Sequence, residues 1–132
     1  MRKKKSTYIV IVAALVIACA IIITYLSPKG GTISIKNNTD KDISGLIIKY
    51  TDSAITVNIP TISQKQKYKT KVILPENFSE GCIKLCYIDK QGKNHEEYLE
   101  GYIEKGYNGK VTANINSIDD NGVLSIKVDK TS

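Results

Sequence analysis

The chain has 132 residues, with 19 Lys and Arg against 13 Asp and Glu and a formal net charge of +6. That balance invites a nucleic-acid partner, but Arg2, Lys3, Lys4, Lys5 and Lys29 all precede residue 30, leaving fourteen lysines against the 13 acids beyond it. The basicity belongs to the N-terminal flank and argues against a nucleic-acid footprint.

Taken in order, residues 1–7 form a basic head and residues 8–26, YIVIVAALVIACAIIITYL, an uninterrupted apolar run. Nineteen residues at helical rise give about 28 Å, close to the hydrocarbon thickness of a bilayer, so the run is expected to be a transmembrane helix. It is longer than the apolar core of a signal peptide. Two cleavage readings compete with an uncleaved anchor. Ala18-Cys19-Ala20 has the form of a signal-peptidase site, and Val16-Ile17-Ala18-Cys19 fits a loose lipobox that would leave Cys19 lipidated. Against both, Ile21, Ile22 and Ile23 would leave the new N-terminus in apolar sequence. Basic residues before the run place the N-terminus in the cytoplasm and the rest outside, with Tyr8 and Tyr25 at headgroup depth. Ala14 and Ala18 make a small-xxx-small pair at which two spans could approach. Residues 27–31, Ser-Pro-Lys-Gly-Gly, read as a linker to an extracytoplasmic domain over residues 32–132.

Within that domain alternation predominates. Ile33 and Ile35 share a strand face, and Asn37-Asn38-Thr39-Asp40 supplies turn chemistry. Leu46, Ile48 and Tyr50 share the next face, then Ile55, Val57 and Ile59, with Pro60 closing the strand. From Gln66 to Leu74, Tyr68, Thr70, Val72 and Leu74 oppose Lys67, Lys69 and Lys71, and Lys65 extends the basic row. This row is the candidate polyanion-binding site, against the plainer reading of a solvated face or a lysine-protected edge. Ile83, Leu85 and Tyr87 share a face, Gly92 suits the left-handed position of a short turn, and Tyr98 and Tyr102 lie on the return strand. Val111, Ala113 and Ile115 lead to Asn121-Gly122, a strong hairpin signal, and Leu124, Ile126 and Val128 point inward on the last strand. The six tyrosines of the domain are expected to supply the core's aromatic volume, there being no Trp and only one Phe. The fold class expected is all-β, a single antiparallel β-sandwich of seven or eight strands behind one N-terminal transmembrane helix.

His95-Glu96-Glu97-Tyr98-Leu99 begins like a zincin helix but has Leu where the second histidine belongs. One histidine makes a nucleophile triad hard to assemble. Glu96, Glu97, Glu100 and Glu104 read as solvated side chains rather than a glycosidase pair. Cys82 and Cys86, four residues apart on a strand, stand too far apart to pair and are expected to be small buried hydrophobes without a metal. Asp119-Asp120-Asn121-Gly122 lacks the closing carboxylate of a calcium loop. Asn37-Asn38-Thr39 and Asn77-Phe78-Ser79 are formal glycosylation sequons in turns, relevant only in a pathway that uses them, and the Ile-, Lys- and Asn-rich composition looks like that of an AT-rich bacterial genome.

The short basic head, the single span and the Asn-Asn-Thr-Asp turn leading into Ile43 to Tyr50 resemble membrane-anchored Ig-like domains of uncharacterised bacterial surface proteins. The resemblance is architectural, covers the whole chain and carries no catalytic or ligand-binding motif. It implies an Ig-like sandwich. The expected function is that of a non-enzymatic extracytoplasmic module without cofactor, held by one membrane span and acting on an envelope protein. The alternative is binding of a cell-wall polyanion or lipid headgroup through Lys65, Lys67, Lys69 and Lys71, or a cleaved secreted or lipidated form of the same domain.

Overall fold

The computed structural model describes residues 2–26 and 30–131. Ser27, Pro28 and Lys29 of the expected linker, and the side chain of Tyr25, lie outside the described residues. Helix α1 spans Arg2–Leu26, so it takes in the basic head as well as the apolar run. Lysine is a good helix former, and nothing between Arg2 and Tyr8 stops the helix. The stretch Lys3–Ile23 is long and apolar enough to cross a membrane, and none of it is buried in the molecule.

Eight strands follow: β1 Thr32–Asn37, β2 Ile47–Tyr50, β3 Thr56–Asn58, β4 Lys67–Lys71, β5 Glu80–Ile88, β6 Asn94–Glu104, β7 Lys110–Ile118 and β8 Leu124–Thr131. They form two four-stranded sheets with orders β4-β1-β7-β8 and β3-β2-β5-β6. Alternation with period two puts Ile33 and Ile35 of β1, and Val111, Ala113 and Ile115 of β7, inside the first sheet. Ile48, Tyr50, Ile83, Leu85, Leu99 and Ile103 of the second join them in one core. The result is an all-β, sandwich-like domain, and among the described residues its core draws nothing from α1.

An entirely antiparallel arrangement was expected, and here the structure differs: β1 pairs with β4 antiparallel but with β7 parallel. The chain visits the second sheet before returning to lie beside β1, and that return leaves no local signature. Six tyrosines were expected in the core; Tyr50 and Tyr87 are buried there, whereas Tyr98 and Tyr102 are exposed on β6. The register between β5 and β6 shifts twice, between Gly81 and Ile83 and between Ile83 and Lys84. Leu99 and Ile103 stay inward while the tyrosines turn out.

The β5–β6 and β7–β8 turns share one design. Asp89 Oδ1 accepts the amides of Gln91 and Lys93, and Asp119 Oδ1 those of Asn121 and Val123. Gly92 and Gly122 take φ of 82° and 78°, the left-handed conformation the turn requires. The tips touch, the Lys90 amide donating to the Asn121 carbonyl at 2.9 Å.

Candidate binding face

The strands of the first sheet carry Lys36, Lys67, Lys69, Lys71, Lys110, Lys127 and Lys130 against the single carboxylate Asp129. Those of the second carry Lys49 and Lys84 against Glu80, Glu96, Glu97, Glu100 and Glu104. A domain close to neutral is therefore divided in charge, one sheet basic and the other acidic.

Register builds the basic side into a face. Because Ile33, Ile35, Val111, Ala113 and Ile115 point inward, the residues between them point to solvent. One row across the sheet is Lys71, Thr32, Lys110, Thr131; the next is Lys69, Ser34, Thr112, Asp129; the third is Lys67, Lys36, Asn114, Lys127. Strand and residue spacings make this a patch of about 14 Å by 14 Å. Lys36, Lys67, Lys69, Lys71 and Lys110 are exposed, and none makes an ion pair among the described residues. Asp129 is partly occupied, accepting from Asn114 Nδ2 at 2.8 Å with Lys127 Nζ 3.8 Å away. Hydroxyls of Thr32, Ser34 and Thr112 lie among the ammonium groups.

Of the four lysines singled out from the sequence, Lys67, Lys69 and Lys71 stand together on β4, an edge strand. Lys65 stands apart. It precedes β4 with φ of 60°, and its Nζ donates to the Asn38 carbonyl at 2.7 Å and lies 3.4 Å from Asp40. Lys36, Lys110 and Lys127 complete the face but were not singled out. The available signal was weak: each is one lysine on an alternating strand, and only the pairing of β1 with β4 and β7 gathers them.

The other candidates resolve into structural roles. His95 Nε2 lies 2.8 Å from Asp89 Oδ2, and the ring stacks on Tyr87 at 4.8 Å. The His95 contact and the Lys93 amide hold the Asp89 carboxyl below its ordinary value. This pair latches the β5–β6 turn. Glu96 bridges to Lys84 at 3.0 Å, raising the Lys84 ammonium's value, and Lys84 also sits over the Tyr98 ring.

Glu100 corrects the reading of that cluster as solvated side chains. Its carboxylate takes Lys130 Nζ at 3.0 Å and the Tyr107 hydroxyl at 3.3 Å, tying the edges of the two sheets together. Burial first, and then Glu100, push the Tyr107 hydroxyl up to about 12. A surface concavity of about 340 Å³ opens beside them.

Cys82 and Cys86 are free and buried, as expected, with burial raising the Cys86 thiol. Among the described residues no group of three or more His, Cys, Asp or Glu is placed to hold a metal ion. Asn37 is not an exposed sequon. It is fully buried, its Nδ2 donating to the carbonyls of Lys41, Ile62 and Ser63 and its Oδ1 accepting from Thr39. Asn77 of the second sequon is exposed.

Fold and face together define a small all-β domain with one cationic sheet surface, joined to an apolar helix. No family model matches the chain, and no curated protein matches it. A protein from Eubacterium rectale with an NMR structure is similar over 78% of this chain and 91% of its own, at 13% identity and a TM-score of 0.46.

Proposed function

We propose that this is a single-pass, membrane-anchored Ig-like module that works outside the cytoplasmic membrane by binding an anionic partner, without catalysis. The observation that carries the reading is the outer face of the first sheet, where Lys36, Lys67, Lys69, Lys71, Lys110 and Lys127 meet one carboxylate. Like charges held side by side on a rigid sheet raise the local concentration of anions and release repulsion when one binds. Lys36 directly opposite Lys67 costs stability in the free domain, which favours a role beyond folding. An apolar helix with Arg2, Lys3, Lys4 and Lys5 at its start supports an N-terminus in the cytoplasm and a domain outside it. His95 and Glu100, the groups best suited to proton transfer, are engaged in holding a turn and two sheet edges. An envelope accessory role would use the same face toward an acidic protein surface.

The core lies wholly within residues 33–128, so residues 30–132 can be made without the helix. The test is their retention on immobilised polyphosphate. Retention that falls with salt and is lost in Lys67→Glu/Lys69→Glu/Lys71→Glu supports the reading. Equal retention of both proteins removes it.

A further inference from the structure

The first row of the face flanks the point where the chain enters the sheet. Thr32, the first residue of β1, pairs with Lys71 on one side and Lys110 on the other. Between Leu26, the last residue of α1, and Thr32 the chain can reach at most about 20 Å. Gly30, at φ of 112°, adopts a conformation that lets the chain change direction immediately before the strand.

Resting on the function proposed above, we propose that the anionic partner is the headgroup layer of the bilayer that holds α1, against which the outer face of the first sheet lies. With the helix in the bilayer, a connection that reaches at most about 20 Å limits how far Lys71 and Lys110 can move from the headgroups, so each weak contact forms at raised effective concentration. Once the first row engages anionic lipid, rotation about the tether brings Lys69, Lys67 and Lys36 down together, because they share one flat face. Phosphate oxygens would also meet the hydroxyls of Ser34 and Thr112, which lie between the lysines. The acidic sheet faces away from an anionic surface in this orientation, so the division of charge that unites the lysines also sets the polarity of docking. Asp129 lies at the far edge of the face on β8, where it opposes docking least.

The test uses the full chain in nanodiscs of phosphatidylglycerol or phosphatidylcholine. A nitroxide is placed on Ser34→Cys in a Cys19→Ser background; Cys82 and Cys86, 8% and 2% exposed, escape labelling. Docking predicts that the label gains collisions with a lipid-soluble relaxation agent and loses them with an aqueous one in phosphatidylglycerol alone, and that Lys67→Glu/Lys69→Glu/Lys71→Glu abolishes the change. A label equally aqueous in both lipids overturns the proposal. A second measurement needs no substitution. In the wild-type chain, amine labelling of Lys69 relative to Lys93, on the distant β5–β6 turn, slows about fivefold on anionic lipid. An unchanged ratio also overturns it. If residues 30–132 bind polyphosphate yet Ser34 stays aqueous on phosphatidylglycerol, the anion-binding function stands and the lipid assignment falls; if polyphosphate binding fails too, both fall.

Discussion

Asn37 shows how much a single side chain can organise. Fully buried at the end of β1, it satisfies the carbonyls of Lys41, Ile62 and Ser63 and holds Thr39, closing the loop that carries the chain toward β2. Asn37→Ala strands those carbonyls and is expected to cost about 3 kcal/mol, measured by urea denaturation of residues 30–132. A loss under about 0.5 kcal/mol would mean that water replaces the amide. In the sequence, Asn37-Asn38-Thr39-Asp40 announces a turn but not which asparagine is inside. That depends on the Ile43–Ile62 bridge, formed by a segment far along the chain. Asp89 gives a pH prediction. Its folded value is lowered, chiefly by His95, so the carboxylate is favoured in the folded state. The stabilisation is present above the ordinary value of 3.8 and is lost as pH falls through the lowered one. Melting curves between neutrality and about pH 2 should therefore show a steeper acid decline in wild type than in Asp89→Asn. Parallel declines would place the proton elsewhere.

At the scale of elements, β4 carries its inward and outward faces as the alternation of Tyr68 and Thr70 with Lys67, Lys69 and Lys71 foretold. The same alternation identified β1 from Ile33 and Ile35, β5 from Ile83, Leu85 and Tyr87, and β7 from Val111, Ala113 and Ile115, since period two is a local property. β6 resisted, because both of its alternating sets carry large apolar side chains, and only its pairing with β5 sets Leu99 and Ile103 inward and Tyr98 and Tyr102 outward. Pairing also sets Lys36 against Lys67, two like charges on adjoining strands. Lys36→Glu should stabilise the domain by about 0.5 kcal/mol at low ionic strength. The gain should shrink in 1 M salt, where screening acts within about 3 Å. A gain independent of salt would show that the repulsion is not what changed. In the β7–β8 turn, Gly122→Ala puts a Cβ at a φ of 78° and 3.2 Å from Lys90 Cγ of the neighbouring turn. A cost of about 1–2 kcal/mol in urea unfolding is expected.

For the molecule as a whole, the sequence conveys what depends on nearby residues: the apolar helix, the strand alternation and the turns at Gly92 and Gly122. It conceals what depends on partners far apart in the chain. The pairing of β1 with β4 on one side and, in parallel, with β7 on the other gathers Lys36, Lys67, Lys69, Lys71 and Lys110 on one face, while a nearly balanced charge total hides the division between sheets. Lys65, adjacent in sequence, lies outside the face because its ammonium is held by the Asn38 carbonyl. An uncleaved anchor predicts that the protein in the membrane fraction has the full-length mass. A product beginning near Cys19 or Ile21 would instead make the domain lipidated or released.

The central claim is that anions bind the outer face of the first sheet. Titrating isotopically labelled residues 30–132 with a short polyphosphate, followed by NMR, tests it most directly. The expected result is chemical-shift change concentrated at Lys36, Lys67, Lys69, Lys71, Lys110 and the intervening Ser34 and Thr112, with β5 and β6 unmoved. Changes centred on the concavity beside Glu100 and Tyr107, or spread without preference over both sheets, would contradict it.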